Sequence, residues 1–182
     1  MHLLLQPSRN YLIAMQQPFP TTRRDLLTLT GLGLAGAVLG GCGSSEAVAA
    51  ERFPVTMSDE AWKKKLGLQA WAVLRHESTE TPFTSPLNNE HRAGIFHCKG
   101  CALPAFSSRT KFDSGTGWPS FWAPLPNAVA TKTDSSLFMD RTEIHCRRCG
   151  GHLGHVFDDG PKPTGKRYCM NGVAMTFSAA RT

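Results

Sequence analysis

Apolar positions change their spacing along the chain. From Leu29 to Gly41 they run almost unbroken, in a stretch rich in glycine. Between Ser58 and His76 they fall at helical intervals, at Trp62, Leu66, Ala70, Val73 and Leu74, with Gly67 in between. This predicts two short helices separated at the glycine. Ser58 can cap the first, and Asp59 and Glu60 suit its positive end. Thr79-Glu80-Thr81-Pro82-Phe83 then opens a looped region. From Ala93 the texture becomes short apolar runs between glycines and prolines. Gly94–Cys98, Leu137–Met139, Ile144–Cys146 and Val156–Phe157 read as short strands. Tyr168 to Phe177 is the clearest alternation. It predicts one strand with Cys169, Asn171, Val173, Met175 and Phe177 on a single face. The expected fold is mainly β and antiparallel, with small N-terminal helices.

The apolar run near the start has a different meaning. It is too short for an ordinary membrane-spanning helix of about 20 residues. It follows Arg23-Arg24-Asp25-Leu26-Leu27, which resembles a twin-arginine export signal. Residues 1–50 therefore read as an export leader and tether, and 51–182 as the working domain. Leu39-Gly40-Gly41-Cys42 resembles a lipobox, which would lipidate Cys42. Ala47-Val48-Ala49 resembles an ordinary cleavage site, which would remove it. Both outcomes place the protein in the periplasm or cell envelope, with Cys42 its only link to a membrane. Residues 43–57 read as the tether.

The formal charge is +6 over 182 residues, with Lys63-Lys64-Lys65 and Arg147-Arg148 the only basic runs of the domain. Scattered bases suit a solvated surface and no nucleic-acid partner.

The cysteines carry the chemistry. Cys98 with Cys101, and Cys146 with Cys149, form two CxxC pairs that can complete a tetrahedral zinc shell. Joining them would tie distant segments together. In an oxidising compartment the same four could form two disulfides, or a CxxC could act in thiol exchange. His97 and His145 each precede a ligand and read as structural neighbours. With the pairs occupied, Cys169 is the domain's one cysteine free to react. A thiolate attacks electrophilic sulfur or carbonyl carbon, and needs a lowered pKa to do so near neutrality. Arg167 and Asn171, two residues to either side, share its face in an extended strand.

Two further constellations flank this thiol in the reading. In Gly151-His152-Leu153-Gly154-His155-Val156-Phe157, two imidazoles three apart would oppose each other in a straight strand. A bulge at Gly154 would turn both toward one pocket. In Gly115-Thr116-Gly117-Trp118-Pro119-Ser120-Phe121 and the following Trp122, the three aromatics Trp118, Phe121 and Trp122 make an apolar wall suited to a small group such as an S-methyl. A zinc-ribbon binding module is the alternative, but it leaves Cys169 without a purpose.

Taken together, the two CxxC pairs, these two motifs, Asp159-Gly160-Pro161-Lys162-Pro163-Thr164-Gly165 and Arg167-Tyr168-Cys169-Met170-Asn171-Gly172 resemble the peptide-methionine (R)-S-oxide reductases. The resemblance runs from about Ser58 to Phe177. It implies two antiparallel sheets with small helices and a structural zinc site joining the two knuckles, set apart from the chemistry. It implies that Cys169 attacks the sulfoxide sulfur, while His152, His155 and Asn171 bind and orient the oxygen or its water. Trp118 would be the wall for the substrate methyl, with Phe121 and Arg167 beside it. Cys169 would be left as a sulfenic acid. Many relatives carry a resolving cysteine where this chain has Thr116. A thioredoxin-like or other thiol reductant is thus expected to restore Cys169 directly. Oxidised proteins are the implied substrates, and a monomer is the expected state.

Overall fold

A computed structural model of the chain describes residues 51–136 and 140–181. Two helices come first, α1 (Asp59–Leu66) and α2 (Leu68–His76). The Ser58 hydroxyl accepts from the Ala61 N–H, and Gly67, at φ 75°, separates the helices. That conformation costs glycine least, which is why the break falls there. Trp62, Leu66, Ala70, Val73 and Leu74 are all buried, as their spacing predicts.

Nine strands follow among the described residues: β1 (Gly94–Cys98), β2 (Pro104–Ser107), β3 (Lys111–Phe112), β4 (Ser120–Phe121), β5 (Val129–Asp134), β6 (Arg141–Cys146), β7 (His152–Phe157), β8 (Arg167–Met170) and β9 (Met175–Ala179). They form two antiparallel sheets, one of order β2-β1-β9 and one of order β3-β4-β8-β7-β6-β5. The fold is mainly β, as expected. Aromatic rings from both sheets fill the core: Phe121 of β4 stacks on Phe106 of β2 at 4.5 Å and meets Phe96 of β1 edge-on at 5.0 Å. Among the described residues no helix is long and apolar enough to cross a membrane.

Two expectations need correction. The predicted strand from Tyr168 to Phe177 is two strands in different sheets, joined by a helical turn at Gly172–Ala174. The N–H groups of Gly172 and Val173 are taken by the buried Glu80 carboxylate rather than by a neighbouring strand. Alternation along the sequence could not report that distant acid. The described part of the proposed tether is also packed. Val55 N–H donates to the Arg148 carbonyl at 3.0 Å, and the Phe53 ring meets His145 at 5.7 Å. The proposed export leader, with Cys42, and the Leu137–Met139 strand lie outside the described residues.

Candidate active site

Cys169 sits at the middle of the larger sheet. In register it faces Ser120 of β4 on one side and His155 of β7 on the other. Directly opposed residues of an antiparallel pair project from the same face, with Cβ atoms about 5 Å apart. This pairing therefore brings the thiol and an imidazole together. They line a cavity with Thr79, Trp118, Arg141, Gly154, Phe157 and Asn171.

The expected bulge is present. Ile144 pairs with Gly154 but His145 pairs with His152, so Leu153 is the extra residue. Shifting the parity by one puts His152 and His155 on one face, and their rings meet edge-on at 5.3 Å. Gly154 is required for a second reason: a Cβ there would lie 2.1 Å from the Cys169 carbonyl oxygen. The histidines are not equivalent. His155 lines the cavity, whereas His152, at 2% exposure, lies behind it with Nε2 unpartnered.

Each imidazole is held by a carboxylate that the sequence reading did not single out. His152 Nδ1 lies 2.9 Å from Glu143, whose carboxylate also pairs with Lys132 at 2.9 Å. Burial alone would raise the Glu143 carboxyl, but its bonds to His152 and Lys132 hold it below the usual range. His155 Nε2 lies 2.7 Å from Asp134, which Arg141 also meets at 2.7 Å. Hydrogen bonds from Ser136, and then from His155, keep Asp134 well below the usual carboxylate range. An ionised carboxylate only accepts, so the His155 proton belongs on Nε2 and Nδ1 is left as an acceptor. Burial, with Arg141 and His152 nearby, lowers the His155 pKa against the pull of Asp134, so this imidazole is neutral near pH 7.

The thiol differs from expectation. Burial pushes Cys169 above the ordinary thiol range, and this outweighs the opposing effects of Thr116, Arg167 and Ser120. Thr116 Oγ1 lies 3.8 Å from the sulfur. Arg167 spends its guanidinium on both Asp159 oxygens, each at 2.8 Å, and stacks on Phe157 at 4.4 Å. Cys169 is therefore a neutral thiol at rest.

Trp118 and Asn171 form the remaining walls as expected. Phe121 does not: it is fully buried in the core between the sheets and lines no part of the cavity. The alternation that places Ser120 beside Cys169 necessarily turns its neighbour inward.

The two CxxC pairs are the β1–β2 and β6–β7 turns. Their four sulfurs lie within 4.8 Å of one another, with Cys98 and Cys149 at 3.7 Å and Cys101 and Cys146 at 3.4 Å. Sulfurs about 3.8 Å apart are what a tetrahedral ion with bonds of ~2.3 Å requires. Among the described residues no cysteine is in a disulfide. The site can thus hold a metal ion and tie one sheet to the other. None of its ligands lines the cavity. His97 and His145 stay outside this cluster.

A family profile described as the SelR domain matches residues 66–179, and the chain belongs to that family. Its relatives are named peptide methionine sulfoxide reductases. The chloroplastic B1 protein of Arabidopsis thaliana is 49% identical over 125 residues, 68% of this chain. MsrB of Leptospira interrogans is 49% identical over 126 residues, covering 69% of this chain and 96% of the relative. MsrB of Pseudomonas putida is 52% identical over 119 residues, covering 65% and 90%. The matched stretch spans only 62% of the Arabidopsis protein and 58% of its rice counterpart.

Proposed function

We propose that the protein reduces the R epimer of methionine sulfoxide in oxidised polypeptides, with Cys169 as nucleophile. The observation that carries this reading is the register setting Cys169 opposite His155 in a cavity walled by Trp118 and Asn171. The substrate methyl rests on Trp118. The sulfoxide oxygen is held by Asn171 and by a water on the His155 imidazole, while Cys169 sulfur faces the substrate sulfur. Fixing oxygen and methyl leaves one epimer able to present its sulfur. The resting thiol carries its own proton. As oxygen passes to Cys169, the sulfur–oxygen bond of the substrate breaks and the thiol proton follows the oxygen. Thiol and sulfoxide become sulfenic acid and thioether, with no further proton required. Two external thiol equivalents then return Cys169 to the thiol, releasing water and a disulfide. Thr116 beside the sulfur, at the position where the resemblance implies a resolving cysteine in many relatives, supports this direct recycling.

The metal is best read as structural zinc, held by Cys98, Cys101, Cys146 and Cys149, which fastens the turn leading into His152. Export through the Arg23-Arg24 leader would direct the repair to periplasmic or envelope proteins. A variant with both arginines changed to lysine would then stay in the cytoplasm.

The deciding assay is dithiothreitol-driven reduction of the separated epimers of a methionine sulfoxide peptide. Turnover of the R epimer alone is expected, and Cys169→Ser should abolish it with zinc retained. After one turnover without reductant, mass spectrometry should find one added oxygen on Cys169. Turnover of the S epimer, or of neither, would refute the reading.

A further inference from the structure

Between α2 and the first sheet, the chain passes along the cavity at Thr79-Glu80-Thr81, with Thr79 in its lining. Glu80 is buried there, at 6% exposure, yet it does not line the cavity. An acid this deep needs partners for its charge. Its two carboxylate oxygens accept from the backbone N–H groups of Gly172, in a short bond, and of Val173, at 2.9 Å. These open the helical turn after Asn171, whose own side chain does not cap it. First-turn N–H groups have no partner within a helix, and here a distant acid supplies both acceptors.

The backbone of the same residue makes two more bonds. Glu80 N–H donates to Asn171 Oδ1 at 3.0 Å, and the Glu80 carbonyl accepts from Trp118 Nε1 at 3.1 Å. Asn171 Nδ2 also donates to the Leu153 carbonyl at 3.3 Å. The Asn171 amide cannot flip without losing both bonds, and one Nδ2 hydrogen is left over for the cavity. There is little slack: a Cβ on Gly172 would lie 1.9 Å from the Ser85 hydroxyl.

We propose that Glu80 is a positioning residue for sulfoxide reduction. It ties Asn171, Trp118 and the turn following Cys169 into one unit, and so sets the oxygen-binding amide and the methyl wall relative to the sulfur. The inference rests on the reduction proposed above. A carboxylate suits the task because two N–H groups converge on it. A glutamine of the same shape would turn an amide donor toward one of them.

The test uses the full chain with Glu80→Gln and Glu80→Asp, each alone and combined with Asn171→Ala. Metal content and melting temperature are recorded beside kcat and KM for the R sulfoxide. Either variant that keeps its metal should lose about 10-fold to 100-fold in kcat/KM, the cost of misplacing reacting groups. In the Asn171→Ala background the same change should cost clearly less, the remainder being its hold on Trp118 and the turn, because coupled residues do not add. Full additivity, or unchanged kcat/KM in a folded variant, overturns the proposal. Hydrogen exchange on the unmodified protein adds an arm independent of variant folding. The Gly172 and Val173 amides should exchange as slowly as those of β8, and exchange at the rate of an exposed turn also overturns it. If the unmodified protein reduces neither epimer, sulfoxide reduction itself is what fails.

Discussion

Cys169 shows what a residue's type leaves unsaid. Its isolation among the domain's cysteines singles it out as the candidate nucleophile, but its ionisation depends on burial, which no neighbour in sequence reveals. Because its pKa is raised, the reactive thiolate increases as pH rises and is scarce near neutrality. Alkylation of Cys169 by iodoacetamide, followed by peptide mapping, should speed up with pH and level off only above the ordinary thiol pKa of about 8.5. A plateau already reached at pH 7 would instead show an acidic thiol. Asp134 carries the second residue-scale prediction. Asp134→Asn leaves His155 Nε2 without an ionised acceptor, so the tautomer is no longer fixed. A kcat loss of about 100-fold is expected, read at saturating sulfoxide with metal content as the control. Asp134, Arg141 and Glu143 escaped the sequence reading because their partners lie 7 to 21 residues away across hairpins. Only pairing register brings them together.

Among the elements, the β7 bulge was legible and the β8–β9 break was not. Two histidines around a glycine pose a parity conflict that a bulge resolves, so the local sequence contains both the problem and its solution. The break after Met170 is imposed by Glu80, some ninety residues earlier, and Tyr168 to Phe177 alternates well enough to hide it. Phe121 was misassigned for a related reason: Trp118 precedes β4, whereas Phe121 lies within it and turns into the core, and the reading grouped them as one wall. Gly154→Ala tests the bulge. With a Cβ placed 2.1 Å from the Cys169 carbonyl, β7 and β8 must separate. We expect a loss of about 1–3 kcal/mol in urea unfolding, together with loss of R-sulfoxide turnover. Unchanged stability would mean that the strands have room to spare.

At the scale of the molecule, the four thiols join turns of two different sheets. Cys98→Ser should therefore lower metal content and melting temperature together, because binding at such a site contributes to folding free energy. The same melting temperature with and without chelator would refute a structural role. The CxxC spacing revealed the ligands and the joining of distant segments. The packing of Phe53 and Val55 against the second turn was not visible, because a short apolar pair beside a leader resembles a linker.

The clasp also orders events during synthesis. A nascent chain that has emerged only as far as Cys101 offers two sulfurs, and the other two arrive with the end of β6, ahead of the two strands at the centre of the larger sheet. Metal capture can thus join the β1–β2 turn to β6 before β7, β8 and β9 complete either sheet. Chains truncated before Cys146 should hold the ion far more weakly than the finished protein in a competition with a colorimetric chelator.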